Sequence, residues 1–531
     1  MRPLPIILAA LAIALLVLFS GCTWPPVESC GDGICQEKET PESCPQDCKE
    51  QPRKCGDGIC GPVERESGSC PEDCGGIKPG ADNSIDADGF LWGAEFSLGQ
   101  DIAEEIINST LKIKYIKARF QQQFFSEDGI IFSNFMCHPS QAACQDKIDL
   151  DEKVQKIKEN GWSLIPMLSH NTESQTFSPS DIDKYADYVD WFLSRYQKDA
   201  NIKYVELINH PGQSWKGTKE QLLEANNKAY EKIKSKYPDV LVSTPGFEYW
   251  LDGEETAMTN QDEYLKKTLE YVDYFLDREN GAKFDIWAFH GYPAKTASAR
   301  EFINYPPTKT AIFNKYAHIG GIAEIRERLN INGWQNVPIM DFENGTGGAI
   351  VRPMGTVSDS EDRLNAAFEI QSLLLSKMQL MASNGKYGQY GMVALKIYPK
   401  LNKGEFRLGS LKSDGSATKM VKSVALLWSK LSEYSYDSHV SGEFDSEEQP
   451  WVEKFSSGNK ELYIFFKPFE YHAGQAIEFD GKILDYALAL DRAPTSITLT
   501  DTEGNTSNIT PGTALTIEAE NSPKFLEIKY E

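Results

Sequence analysis

The stretch Tyr204-Val205-Glu206-Leu207-Ile208-Asn209-His210-Pro211 decides how this chain folds. It is short, aliphatic and β-branched, and a proline closes it, which is the pattern of one strand running into a loop. Seven further runs of this kind occupy 90–97, 113–120, 162–169, 240–247, 284–292, 337–343 and 391–398. Between them apolar residues recur at helical spacing over 180–196, 219–236, 262–278, 321–329 and 359–382, and again over 416–431 after the eighth run. Strands that alternate with helices build a parallel sheet. Eight such units across 89–434 predict a closed (β/α)8 barrel, the TIM barrel, with elaborated loops.

Beyond Tyr434 the period changes. Runs of β type at 451–455, 461–466, 476–479, 484–490, 496–500, 514–519 and 524–530 follow one another with turns and no helix between them. They predict a β-sandwich over 435–531. The expected fold class is therefore α/β: a (β/α)8 TIM barrel with a C-terminal β-sandwich and an N-terminal disulfide-rich repeat region. A chain of 531 residues is too long for one core, so this division is expected on size as well.

Residues 6–19 are an unbroken apolar run, too short to span a bilayer and right for the core of a signal peptide. Phe19-Ser20-Gly21-Cys22 follows and resembles a lipobox, in which Cys22 would be lipidated and would tie the chain to a membrane (1–22). A plain signal peptide and an uncleaved anchor are the alternatives; each places the remainder outside the cytoplasm, at the cell surface or secreted. Eleven cysteines less Cys22 leave an even number, as disulfide pairing in an oxidising compartment requires. Eight fall within 23–74 as two repeats: Cys30, Cys35, Cys44 and Cys48 (30–48), then Cys55, Cys60, Cys70 and Cys74 (55–74). Cys137 and Cys144 make a separate local pair. Units this small need disulfides or a metal in place of a core. Asp32, Glu39 and Asp47, and likewise Asp57, Glu64 and Asp73, offer calcium the oxygen ligands it prefers; solvated turn carboxylates are the plainer alternative. Residues 75–88, rich in Gly and Asp, read as a linker. The formal net charge of −24 repels phosphate backbones, so nucleic acid is not an expected partner.

In a barrel of this kind ligands bind at the C-terminal ends of the strands. Here those ends carry Arg119, His170, Asn209, His210, Glu248, Tyr249, Trp250, His290, Tyr292, Asp341, Glu343 and Tyr398. Carboxyl and imidazole groups can move protons near neutral pH. Trp215, Tyr249, Trp250, Tyr292 and Tyr398 offer faces to sugar C–H surfaces, although loop packing explains any one of them. His170 and His290 also fit the reading of satisfied core histidines. Glu206 and Asp341 share the faces of His210 and Glu343 but lie one layer deeper, Glu206 as an ion-pair partner. HExxH, His-x-His, a P-loop, a G-x-G-x-x-G turn following a strand and a G-x-S-x-G elbow are all missing. No cofactor is therefore expected in the barrel.

Several of these positions resemble the clan A glycoside hydrolases, nearest to families such as 39 and 5. In those enzymes the fourth strand ends in Asn-Glu-Pro, and the Glu is the general acid/base; here Asn209-His210-Pro211 stands there. The sixth strand, 285–293, matches in its His290 and Tyr292, and the seventh ends in Glu343-Asn344-Gly345, where the family has its nucleophile. Arg119 ends the second strand, where an Arg commonly braces that nucleophile. The resemblance spans about 90–531. It implies a retaining hydrolase of β-linked poly- or oligosaccharide, with Glu343 as nucleophile, His210 in the acid/base position, and Arg119, Asn209, His290 and Tyr292 positioning substrate or catalyst. Retaining enzymes hold two carboxyl groups about 5–5.5 Å apart, so an imidazole at 210 leaves two readings open. Either His210 serves as a poor acid/base, with Glu248 the best-placed substitute, or the barrel is a catalytically silent glycan binder.

Overall fold

The computed structural model describes residues 83–531, except 96–105, 122–129, 132–147, 171–178, 249–260, 292–316, 345–358, 386–390, 397–416, 443–447 and 470–478. The chain divides into two compact units, Met1–Gly76 and Ile77–Glu531, and every described residue belongs to the second. Cys22, the ten paired-cysteine candidates, the six calcium candidates, Tyr249, Trp250, Tyr292 and Tyr398 lie outside the described residues.

Eight parallel strands close into a barrel in chain order: β1 (Leu91–Glu95), β2 (Tyr115–Gln121), β3 (Ser163–Ser169), β4 (Tyr204–Asn209), β5 (Leu241–Glu248), β6 (Trp287–Gly291), β7 (Ile339–Asn344) and β8 (Met392–Lys396). All eight fall on the expected runs. Alternation explains the two faces. On β2, Ile116, Ala118 and Phe120 join the apolar core under the helices, which leaves Lys117 and Arg119 for the lumen. The helices are α1 (Leu150–Glu159), α2 (Pro179–Tyr196), α3 (Pro211–Ser214), α4 (Lys219–Lys236), α5 (Gln261–Leu276), α6 (Ala317–Ile331), α7 (Asp359–Asn384) and α8 (Lys419–Leu431). Helix α4 shows why they form. Thr218 and Gln221 make a reciprocal capping box at its start. Leu222, Asn226, Ala229 and Ile233 then recur at three- and four-residue spacing and are buried. Burying a side chain such as Leu222 or Ile233 contributes about 1.5–3 kcal/mol.

The C-terminal sandwich contains β9 (Ser435–Ser441), β10 (Trp451–Ser457), β11 (Lys460–Phe466), β12 (Leu484–Ala489), β13 (Ser496–Thr500), β14 (Thr506–Ile509), β15 (Ala514–Ala519) and β16 (Lys524–Lys529). Six strands form one sheet in the order β9-β10-β11-β16-β13-β14, and β12 pairs with β15 opposite it. Val452, Tyr463, Phe465, Leu488, Ile517 and Leu526 fill the space between. The alternate residues Phe455, Leu462, Ile464 and Phe525 face the other way and merge with the barrel core. Gln371 of α7 seals this junction, its amide donating to the Asn521 carbonyl at 2.5 Å.

The linker expectation needs correction over 83–88. Asn83, Ser84 and Asp86 are buried. Asp86 accepts from the backbone N–H of Phe90 and the indole of Trp92, and pairs with Lys377 of α7. Gly and Asp serve here as a folded lead into β1. Trp215 is likewise no platform for a sugar: it is 1% exposed, and its indole donates to the Thr218 carbonyl.

Candidate active site

Two β-bulges aim the site. On β4 the register with β5 shifts between Leu207 and Asn209. Ile208 and His210 have φ of 51° and 45°, a left-handed conformation that a β-branched residue rarely adopts. The extra residue sends Ile208 outward into the apolar core and re-aims the side chains after it, as bulges do. His210 then leads into Pro211, the first residue of α3, and its carbonyl receives the Ser214 N–H. On β7 the register with β6 shifts in the same way, Phe289 facing Asp341 and His290 facing Glu343. Each left-handed residue of this kind costs on the order of 1–3 kcal/mol, and such strain concentrates at functional sites.

Lys117 is the hub. Its ammonium is fully buried and lies 2.8 Å from Glu206 Oε2, 3.1 Å from Glu343 Oε1 and 3.5 Å from Glu95 Oε2. Burial works against its charge, but Glu206, Glu343 and Glu95 outweigh that and raise it above the ordinary lysine value. Burial likewise opposes charge on Glu206, yet Lys117 and His290 prevail and hold its carboxyl below the usual carboxylate range. Glu206 is thus ionised, as the ion-pair reading expects.

The second oxygen of Glu206 lies 2.6 Å from His290 Nε2, and His290 Nδ1 lies 2.7 Å from His210 Nε2. An ionised Glu206 accepts from His290 Nε2, and the other ring nitrogen of His290 faces His210 Nε2. Gly246 of β5 leaves room for this chain: a Cβ there would lie 2.5 Å from His290 Nε2 and would collide with Glu206 Oε1 as well. Glu343 Oε2 closes the group, 3.6 Å from His210 Nε2 and 3.7 Å from His290 Nδ1.

The other expected residues divide. Asn209 is 1% exposed, and neither atom of its amide has a hydrogen-bond partner among the described residues. His170 directly follows β3, where its Nε2 donates to the Ser214 carbonyl at 3.2 Å and its ring meets Trp215 edge-on. Burial pushes its pKa down to about 4, and Arg119 adds to the effect, so it is neutral and braces the α3 turn. Lys117 is a cation paired with Glu343. Glu248 ends β5 as expected, but its side chain lies outside the described set.

Asp341 departs from expectation. It accepts from the Gly291 N–H at 2.9 Å and from Asn344, which also reaches Ser376 of α7. The β7 bulge lies between Asp341 and Glu343, and burial raises the Asp341 carboxyl well above the usual range.

The fold is a closed (β/α)8 TIM barrel with a C-terminal β-sandwich, and its lumen holds a buried layer of Lys, Glu and His side chains. No known family model matches the chain, and no curated protein does. Among solved structures it is similar to a glucosidase from Croceicoccus marinus, at 11% identity and a TM-score of 0.54, over 86% of this chain and 98% of that one. It is similar also to a family 39 glycoside hydrolase from Bacteroides cellulosilyticus WH2, at 13% identity and a TM-score of 0.55, over 84% of this chain and 82% of that one. At these identities the likeness is one of fold.

Proposed function

We propose that this chain is a glycoside hydrolase-like protein that binds β-linked poly- or oligosaccharide, and that Glu343 and His210 do not act as a retaining pair. One observation carries the reading: His210 Nε2 lies 3.6 Å from Glu343 Oε2 and is engaged by His290 at 2.7 Å. A retaining pair keeps about 5–5.5 Å between its acid and its nucleophile, room that the anomeric carbon and leaving oxygen need. Here that room is closed, and His210 Nε2 faces a neighbouring ring. Binding has its own support. A buried amide without partners costs about 1–3 kcal/mol, and a sugar hydroxyl meeting Asn209 would recover it. The signal-like 6–22 segment supports action outside the cytoplasm, with Cys22 as a membrane anchor.

The position of Glu343 favours a second reading, slow retaining hydrolysis with His210 as acid/base. Glu343 lies near the end of β7, and Lys117 supports its charge. Aryl glycosides with good leaving groups need little acid assistance and so separate the two. Binding of oligosaccharides by calorimetry with no aryl-glycoside turnover is the expected result. Turnover by the wild type that disappears in Glu343→Gln would replace the binding reading with the hydrolytic one.

A further inference from the structure

We propose that His210, His290 and Glu343 bind a divalent transition-metal ion of the zinc type, a role that stands or falls independently of glycan binding. The three donor atoms are His210 Nε2, His290 Nδ1 and Glu343 Oε2, separated by 2.7, 3.6 and 3.7 Å. An ion equidistant from atoms at these spacings lies about 2.0 Å from each, which is the zinc–nitrogen and zinc–carboxylate bond length. Tetrahedral ligation would part the two imidazole nitrogens by about half an ångström from their present spacing, a small ring rotation.

The surroundings have the form of a metal site's outer shell. A ligating His ordinarily donates its other ring N–H to a carboxylate, which fixes the tautomer and raises ligand basicity. Glu206 Oε1 holds that place on His290 Nε2 at 2.6 Å. A ligating carboxylate is in turn held by a donor, and Lys117 holds the far oxygen of Glu343 at 3.1 Å. Lys117 also bonds Glu206 at 2.8 Å, so one ammonium orients both supports. All three ligands are buried, at 6%, 1% and 0% exposure, on strands β4, β6 and β7 or their ends, which are rigid mounts. The ligands come from three separate strands, which is why no short sequence motif announces them.

Two His and one Glu are the protein ligands of hydrolytic zinc sites, and they leave a position for an oxygen donor such as water or a sugar hydroxyl. The left-handed turn at His210 is then what brings the third donor into reach.

The test uses the full chain, stripped by chelator and then equilibrated with Zn²⁺ or Co²⁺ alone. Metal content by mass spectrometry should be one equivalent higher in the wild type than in His210→Gln or His290→Gln. The Co²⁺ form should show visible d–d bands that the variants lose. Any thiolate charge-transfer band from the Cys repeats should remain in the variants, which separates the two regions. Zn²⁺ should raise the melting temperature of the wild type, as a ligand specific to the folded state does, and should lose that increment in the variants. Equal metal content and equal spectra in folded wild type and variants would overturn the proposal. If the variants fail to fold, the wild type decides alone, and a Co²⁺ spectrum without non-thiolate d–d bands would overturn it.

Discussion

Lys377 and Lys117 are both fully buried among carboxylates, and they do different work. Lys377 of α7 lies 2.5 Å from Asp86 and 2.6 Å from Asp88, in the lead into β1. Those carboxylates direct their remaining lone pairs at structure: the backbone N–H groups of Asp88, Phe90 and Tyr436 and the indole of Trp92. Every bond ties one piece of the framework to another, and the cluster pins the start of the barrel to the sandwich. Lys117 sits among Glu95, Glu206 and Glu343 in the lumen. There Glu206 turns its second oxygen to His290 and, through it, to His210. A buried charge cluster is therefore not informative in itself. What the outer lone pairs face distinguishes a fastening from a site.

Removing each ammonium should expose that difference. Breaking a buried ion pair on one side costs about 3–5 kcal/mol. Lys117→Met, which deprives three carboxylates at once, should show the largest loss in chemical denaturation and should also abolish oligosaccharide binding in whatever fraction remains folded. Lys377→Met should cost about 3–5 kcal/mol while the folded fraction binds with unchanged affinity. Loss of affinity in folded Lys377→Met would erase the distinction. Gly246→Ala should do less: overpacking typically costs about 1–3 kcal/mol, and here the intruding methyl must part Glu206 from His290. Its signature is weakened binding at a modest fall in stability. Normal binding by the Gly246→Ala variant would show that the Glu206–His290 contact does not matter to the site.

The fold is readable because its signal is local. Each barrel strand is a short apolar run between helical patterns, and all eight lie where the alternation puts them. The sandwich strands β9 and β14 escape the pattern, since Ser435–Ser441 and Thr506–Ile509 carry few apolar residues to mark them. At the site, His210, His290 and Glu343 are legible as polar residues at strand ends. Lys117 is not singled out that way, although its signal is present: in Tyr115-Ile116-Lys117-Ala118-Arg119, period two sends both cations to the lumen. Asp341 is misplaced because strict alternation puts it on the face of Glu343, and the β7 bulge breaks that alternation. The contact between His210 and His290 joins residues 80 positions apart through a bulge at Ile208. No local pattern in the sequence encodes such an offset.

The central proposal is that an imidazole held by His290 stands where a retaining pair with Glu343 would need its second carboxyl group. Hydrolysis of aryl glycosides with poor leaving groups, which need acid assistance, by His210→Glu, beside the wild type and the double variant His210→Glu/Glu343→Gln, tests it most directly. General acid–base assistance is worth about 10²–10⁴-fold, so turnover should rise by that order above the wild-type background in His210→Glu and vanish in the double variant. A folded His210→Glu protein no faster than the wild type on these substrates would contradict it.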